Sequence, residues 1–268
     1  MINLIIKLTK ETPDLYAVSG NKGRKINIIQ KRTENQMKVT VIGKYGPYGK
    51  AGVGAASCYL VENNGEYLVM DMGAGTLSRL MAAVDIRKVN YIYFSHLHYD
   101  HTSDFLVFRY LLEDLDHKVT VFARYEDSEW YKMLFTHPLI EVVNIDSDSK
   151  IEVCGLTLTF CNVNHPVPCF GVTIRQREGK TLCYSGDTLD CENVEKLLCE
   201  GDYVLLDCAR QPDFKGPHMN INQAKDFAAR HPDTVIMATH QSTEYDPEKD
   251  FEGIDNLVSV QEGTTYII

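Results

Sequence analysis

Four β-rich runs of this sequence each end in a histidine or an aspartate. The runs are YIYFSH, TFCNVNH, TLCYSGD and TVIMATH, and they end at His96, His165, Asp187 and His240. Mixed α/β folds build their sites where the ends of several strands meet at one rim of a sheet. A fold that brings these four ends together is therefore predicted to hold a single polar site.

The first of these runs is followed by a cluster of possible metal ligands. His96, His98, Asp100 and His101 form the pattern H-x-H-x-D-H directly after the apolar stretch. Imidazoles and a carboxylate at such short spacing can converge on one point, as metal binding requires. The alternative is a polar turn whose histidines share no function. It is disfavoured because three further candidate ligands also lie at the ends of β-rich runs.

Residues 37–268 alternate between β-rich runs and helical patterns, with turn signals between them. KVTVIG, SCYLVEN and EYLVMDM are typical of three successive strands, and DFLVFRYLLEDL is typical of a helix. In NINQAKDFAARHP, Asn220 and Gln223 form the signature of a helix start, and Pro232 lies just beyond the helix. No repeat or long linker divides this range. The predicted fold is one α/β domain in which helices cover two packed sheets.

Residues 1–36 have a different composition and are interpreted as an N-terminal appendage. They contain seven basic and three acidic residues, a net charge of +4 in a chain whose total is −10, so that the remainder carries −14. An upstream start, with Met37 as the natural first residue, is part of the same interpretation. A basic arm that binds a partner is the alternative.

Composition restricts the possible partners and the location. The net charge of −10 disfavours long nucleic acid, because nonspecific binding depends on neutralisation of phosphates by Lys and Arg. No apolar run approaches the length that crosses a bilayer, and MINLIIKLTK lacks the features of a secretory signal. A cytoplasmic protein without membrane partners is the default expectation. The eight cysteines contain no C-x-x-C pair and are interpreted as small buried hydrophobic residues.

The pattern H-x-H-x-D-H, followed in order by a histidine, an aspartate and a histidine, resembles the metallo-β-lactamase superfamily over residues 37 to about 245. The resemblance implies a four-layer αββα sandwich with the site at one edge of its two sheets. It also implies two divalent metal ions, for which zinc is favoured and manganese and iron stay open. The implied ligands are His96, His98 and His165 for the first ion, Asp100, His101 and His240 for the second, and Asp187 as the bridge.

Such a pair of ions implies hydrolysis. Two neighbouring cations lower the pKa of a shared water and neutralise the charge that develops on the attacked centre. Asp100 is implied to orient that water. Members of the superfamily that hydrolyse β-lactams usually have cysteine where this chain has Asp187, and the flavo-diiron branch has glutamate in place of His98. Both of these activities are therefore disfavoured.

Two further stretches resemble the RNase Z-like branch. VMDMGAGTLSRL resembles a D-x-G-x-G turn in which Asp71 would support the metal loop, although a simple helix cap is an equally open interpretation. LLDCARQPDFKGPHMNINQAKDFA resembles a stretch whose histidine protonates a leaving oxygen while an acid orients it. The matching residues are His218 and Asp207. The alternative for His218 is a solvated residue at the start of a helix.

One departure from RNase Z narrows the expected substrate. RNase Z carries a long arm that grips tRNA between its third histidine and its bridging aspartate, whereas only one hairpin fits between His165 and Asp187. The leading prediction is a dinuclear phosphodiesterase that acts on a small or short phosphodiester. The alternatives are a tRNA 3′-end endonuclease, a carboxyl-ester, thioester or lactone hydrolase, and a metal-binding regulator without catalysis. A homodimer is left open.

Overall fold

The computed structural model describes residues 36–268. The predicted appendage, residues 1–36, lies outside the described residues except for Gln36, and its role stays a prediction. The described strands are β1 (Lys38–Gly43), β2 (Cys58–Asn63), β3 (Glu66–Met70), β4 (Val89–Tyr93), β5 (Val119–Ala123), β6 (Ile140–Asn144), β7 (Lys150–Val153), β8 (Leu156–Asn162), β9 (Phe170–Gln176), β10 (Thr181–Tyr184), β11 (Tyr203–Asp207), β12 (Val235–Thr239), β13 (Leu257–Ser259) and β14 (Thr265–Ile267). The α-helices are α1 (Leu77–Ala83), α2 (Tyr99–Leu115), α3 (Glu129–Phe135), α4 (Glu192–Glu200) and α5 (Ile221–Arg230).

The strands form two mixed sheets of seven strands each. The first has the order β14-β1-β2-β3-β4-β5-β6, and the second has the order β13-β12-β11-β10-β9-β8-β7. In each sheet one half is antiparallel and the other is parallel, with the parallel half running from β3 to β6 and from β10 to β13. Parallel strands end at the same edge of a sheet, so their carboxyl ends are available to build one site.

Three apolar layers hold the sheets and helices together. Tyr59 and Leu68 of the first sheet pack against Leu158 and Leu205 of the second, which places one core between the sheets. A second core joins the outer face of the first sheet to α1, α2 and α3, and a third joins the second sheet to α4 and α5. The predicted four-layer αββα sandwich is therefore confirmed.

The central strands are apolar on both faces because each lies between two of these layers. In β11, Val204 and Leu206 belong to the outer core, whereas Leu205 belongs to the core between the sheets. Met237 of β12 likewise faces the inner core, while its neighbour Ile236 faces the helices. Continuous hydrophobic runs of this kind are typical of strands that are covered on both sides.

Local signals in the sequence also gave the expected structure. Asn220 accepts hydrogen bonds from the backbone of Asn222 and Gln223, and the Gln223 side chain accepts one from the Asn220 backbone, so the predicted capping box starts α5. Between His165 and Asp187 the chain forms the predicted hairpin, in which residues 177–180 join β9 to β10. No arm extends from it.

The cysteines are free thiols, and most are buried as interpreted from the sequence. Five are buried and two are half-buried, but Cys199 is exposed on α4, so for that residue the interpretation is wrong. No helix within residues 36–268 is both long and apolar enough to cross a membrane.

Candidate metal centre

All seven predicted metal ligands follow strands that end at one edge of the sandwich. His96 comes three residues after β4, and His98, Asp100 and His101 continue from it into the first turn of α2. His165 and Asp187 each come three residues after the ends of β8 and β10, and His240 directly follows β12. The structure brings these seven side chains into two adjoining groups.

The first group contains three imidazoles. Nε2 of His96 lies 3.0 Å from Nδ1 of His98, and Nε2 of His165 lies 3.2 Å from the same Nδ1 atom. Burial lowers the pKa of His165 to about 4 and lowers the pKa of His96 well below its usual value. A low pKa keeps an imidazole neutral, which is the form that binds a metal ion. Three converging nitrogens can thus fill three of the four coordination positions around a tetrahedrally coordinated metal ion.

The second group contains two imidazoles and two carboxylates. Nε2 of His101 lies 3.2 Å from Oδ1 of Asp187, and Nε2 of His240 lies 3.3 Å from Oδ2 of the same carboxylate. Oδ2 of Asp100 is 3.6 Å from the His101 nitrogen and 3.8 Å from the His240 nitrogen. This is a mixed nitrogen and oxygen donor set of the kind that divalent transition metals prefer.

Asp187 connects the two groups. Its Oδ2 atom is 3.8 Å from Nε2 of His96 in the first group, while both of its oxygens face histidines of the second. Burial would raise the pKa of the Asp187 carboxyl, but His101 and His240 hold it well below its usual value. A buried carboxylate in this position can bind two cations at once.

Several atoms of these groups have no partner within the protein. Nε2 of His101, Nε2 of His240 and Oδ1 of Asp187 are buried and form no hydrogen bond with any residue from 36 to 268. Leaving a buried polar atom unsatisfied costs about 1–3 kcal/mol, so such atoms call for an explanation. These atoms could coordinate metal ions through their lone pairs. The residues present therefore fit a dinuclear metal site.

Asp71 orients one of the candidate ligands, His101, through a hydrogen bond. Its Oδ2 atom accepts a hydrogen bond from Nδ1 of His101 at 2.7 Å and others from the hydroxyls of Tyr184 and Ser95. Its Oδ1 atom accepts the Ser95 backbone N–H at 2.8 Å. The N-cap of α1 is Thr76, so the interpretation of Asp71 as a helix cap is wrong. Asp71 instead fixes the tautomer that points the Nε2 lone pair of His101 into the site.

Asp207 and His218 form a hydrogen-bonded pair at the border of the second group. Nδ1 of His218 donates to Oδ2 of Asp207 at 2.8 Å and lies 3.8 Å from Oδ2 of Asp187. The His218 ring also stacks on His240, with centroids 4.7 Å apart. The His218 side chain is only 11% exposed, so the interpretation as a solvated residue is wrong.

The pKa values of this pair reflect its burial. Burial raises the pKa of Asp207 to about 6, although the adjacent His218 opposes that rise. Burial would lower the pKa of His218, but the carboxylate of Asp207 raises it above its usual value. Asp187, Asp207 and His218 also lie close enough for a metal ion. However, two of these atoms already have hydrogen-bond partners. Nδ1 of His218 donates to Oδ2 of Asp207, and the same Oδ2 atom accepts the Thr188 N–H at 2.9 Å.

Comparison with known proteins agrees with this geometry. A sequence model described as the beta-lactamase superfamily domain matches residues 69–241, which include all seven candidate ligands. The chain belongs to the metallo-β-lactamase superfamily. The coarse prediction of a metal-dependent hydrolase agrees with that membership.

One relative of this chain, the bacterial protein YhfI, matches it both in sequence and in structure. The probable metallo-hydrolase YhfI from Bacillus subtilis is 26% identical over 213 residues, which cover 76% of this chain and 86% of YhfI. The crystal structure of YhfI superposes with a TM-score of 0.79 at 24% identity and covers 87% of this chain and 99% of YhfI.

Two other solved metallo-β-lactamase structures have the same fold. A diphosphatase from the PhnP family has a TM-score of 0.71 at 16% identity, covering 86% of this chain and 97% of its own. The short form of human tRNase Z has a TM-score of 0.69 at 17% identity, covering 85% of this chain and 98% of its own. These likenesses show that the two proteins and this chain have the same fold.

Two residues of this metallo-β-lactamase site were missed at the level of sequence. The Ser57 hydroxyl lies 3.3 Å from Nδ1 of His240, and a Cβ atom added to Gly46 would lie 1.9 Å from the His240 ring. Both residues belong to the loop between β1 and β2, whose sequence KYGPYGKAGVGAAS is rich in glycine. That composition was the available signal, since repeated glycines often mark a close approach of the backbone to another group.

Proposed function

We propose that this metal-dependent hydrolase is a phosphodiesterase that acts on a small or short phosphodiester, with His218 as the proton donor. The observation that carries the proposal is the 2.8 Å hydrogen bond between His218 and Asp207, placed next to the candidate metal centre. Metal-assisted ester hydrolysis alone does not require such a pair. A phosphodiester with a poor leaving group does require it, because the departing alkoxide needs a proton.

The proposed metal ligands divide as the two groups do. Bound there, two divalent cations supply an acidified water as nucleophile and neutralise charge on the phosphoryl group. Zinc is the proposed ion because imidazole-rich sites with carboxylates suit it, and manganese and iron are the alternatives. The proposed ligands are His96, His98 and His165 for one ion, Asp100, His101 and His240 for the other, and Asp187 for both.

The protein side chains then perform the proton transfers. Asp100 borders the second group and is proposed to orient the attacking water, since its Oδ2 faces the His101 and His240 nitrogens. Asp207 accepts the Nδ1–H of His218 and thereby fixes the ring so that Nε2 delivers the proton to the leaving oxygen. Asp207 is a positioning residue in this scheme, and His218 is the catalytic acid.

The size of the proposed substrate follows from the hairpin and from the charge. The segment that joins the third histidine to Asp187 is the short β9–β10 hairpin, which offers no arm to hold a folded RNA. The formal charge of the whole chain is −10, which opposes binding to long nucleic acid. A cytoplasmic location, the absence of membrane partners and a possible homodimer remain predictions.

A substrate panel on the metal-loaded full chain tests the proposal. The panel contains bis-p-nitrophenyl phosphate, cyclic nucleotides, a precursor tRNA, a thioester and a lactone. We expect the highest kcat/KM on a small phosphodiester. Preferred cleavage of the precursor tRNA would instead favour a 3′-end endonuclease, and preferred hydrolysis of the thioester or lactone would favour a carboxyl-ester hydrolase.

A further inference from the structure

Arg210 lies beside the site but belongs to none of the groups described so far. It comes three residues after Asp207, in the loop that joins β11 to α5 and also carries His218. The N–H of its neighbour Ala209 donates to the carbonyl of Thr239 at 3.3 Å, and Thr239 directly precedes His240. The backbone of this loop is thus fixed next to the metal-site end of β12.

Arg210 is a buried arginine whose side chain has no hydrogen-bond or ion-pair partner among residues 36–268. The residue is only 5% exposed, its Nε atom forms no hydrogen bond, and it makes no ion pair with any carboxylate of residues 36–268. Its guanidinium carbon lies over the ring of Phe214, 5.1 Å from the ring centroid. Arginine is almost never buried unless it is paired, because burial of an unpaired charge is costly. The missing partner therefore needs an explanation.

A series of aromatic ring contacts connects Arg210 to the candidate metal centre. Phe214 lies between Arg210 and His218, with its ring centroid 6.0 Å from the His218 ring. The His218 ring in turn stacks on His240. These ring contacts connect the guanidinium to two residues of the site.

Neutralisation of Asp207 does not account for Arg210. Oδ1 of Asp207 is itself buried without a hydrogen-bond partner among the described residues, yet Arg210 does not donate to it. Oδ2 of Asp207 is already satisfied by His218 and by the Thr188 N–H. An arginine placed to stabilise this carboxylate would use the free oxygen. Its side chain thus has no acceptor among residues 36–268 and can donate to a bound ligand.

We propose that Arg210 is an anion clamp for the substrate, whose guanidinium donates hydrogen bonds to a phosphoryl oxygen of the bound phosphodiester. This inference rests on the proposed function and adds a residue that selects anionic substrates over neutral esters. The planar fork of a guanidinium matches the geometry of a phosphoryl group, and the Phe214 ring lies against the Arg210 guanidinium. Burial beside the site strengthens the interaction, since fewer waters compete for the donors.

Binding of inorganic phosphate tests the clamp without any turnover. The metal-loaded full chain and its R210Q variant are titrated with phosphate by calorimetry. Loss of hydrogen bonds to a charged group should weaken phosphate binding roughly 10- to 100-fold. Arg230→Gln is the matched control, because Arg230 also stacks on a phenylalanine, Phe227, but is paired with Glu195 on the surface. Its phosphate affinity should equal that of the wild type. Equal affinity in a folded R210Q protein would overturn the proposal.

Steady-state kinetics then separate substrate selection from a structural role. R210Q should raise KM for bis-p-nitrophenyl phosphate roughly 10- to 100-fold. KM for the neutral p-nitrophenyl acetate should stay within about twofold, because that substrate offers no anionic oxygen to the clamp. If the wild type hydrolyses no phosphodiester, the proposed function fails while the phosphate titration still tests the clamp. If R210Q does not fold, R210K replaces it, and an equal change of KM on both substrates would overturn the clamp.

Discussion

Nδ1 of His101 lies 2.7 Å from Oδ2 of Asp71, and both side chains are fully buried. The same carboxylate accepts hydrogen bonds from Ser95 and Tyr184. One side chain thus connects the ends of β3, β4 and β10 next to the H-x-H-x-D-H segment. The Asp71 backbone adopts a left-handed conformation with φ of 59°, which turns the chain as it leaves β3. The orientation of a ligand and the packing of the sandwich thus depend on one residue.

We expect Asp71→Asn to weaken binding of the second metal ion. The amide cannot stabilise the Nδ1–H tautomer of His101 as a carboxylate does, and loss of such an outer partner typically costs about 10–100-fold in metal affinity. Competition with a chromogenic chelator measures the affinity of each equivalent. Asp85→Asn is the control, since the Asp85 side chain is 49% exposed and its hydrogen bonds within residues 36–268 go to Arg87. Unchanged affinity in the Asp71 variant would contradict this role.

The purified protein should contain close to two equivalents of metal. Asp187 connects the two groups of donors, and several of their atoms have no other partner among residues 36–268. Elemental analysis counts the ions, and His98→Ala should lose metal and activity together. A wild-type protein that holds one equivalent, and keeps it unchanged when Asp100, His101 and His240 are replaced, would rule out the dinuclear assignment.

Gly46 should tolerate no side chain. A Cβ atom at this position would lie 1.9 Å from Cε1 of His240, a contact that the protein can relieve only by moving the ring or the loop. Gly46→Ala should therefore lower the metal content towards one equivalent and reduce activity in proportion. Tyr48→Ala, in the same loop but 61% exposed, should leave both unchanged. A Gly46→Ala protein with two equivalents of metal would show that the ring has room to move.

The sequence was sufficient to predict the candidate ligands because four of them follow a strand end by at most three residues, and the other three continue the H-x-H-x-D-H pattern that starts at His96. Apolar periodicity identifies the strand, and the parallel halves of the sheets bring their ends together. His96 and His240 are 144 positions apart in the sequence. They could still be assigned to one site, because the order of the motifs identifies the superfamily and the superfamily implies the topology.

Residues that reach the site only through tertiary contact could not be predicted. Ser57 contacts His240 across 183 positions, and the glycine-rich loop that carries it indicates a close backbone approach without identifying its partner. Arg210 follows the predicted Asp207 closely, but its importance lies in the absence of a partner, which only the packed structure reveals. Asp71 fitted two interpretations equally well until its hydrogen bond to His101 was known.

The central claim is that His218 protonates the leaving oxygen of a phosphodiester while Asp207 orients it, and dependence on the leaving group tests this most directly. kcat/KM of wild type and His218→Ala is measured on an alkyl phosphodiester and on bis-p-nitrophenyl phosphate, with metal content checked by elemental analysis. Loss of a general acid costs roughly a hundredfold to ten-thousandfold, and the cost shrinks when the leaving group is already stable as an anion. We predict a large loss on the alkyl ester, a much smaller loss on the p-nitrophenyl ester, unchanged metal content, and the same pattern in weaker form for Asp207→Asn. Equal losses on both esters, or no loss on either, would contradict the account.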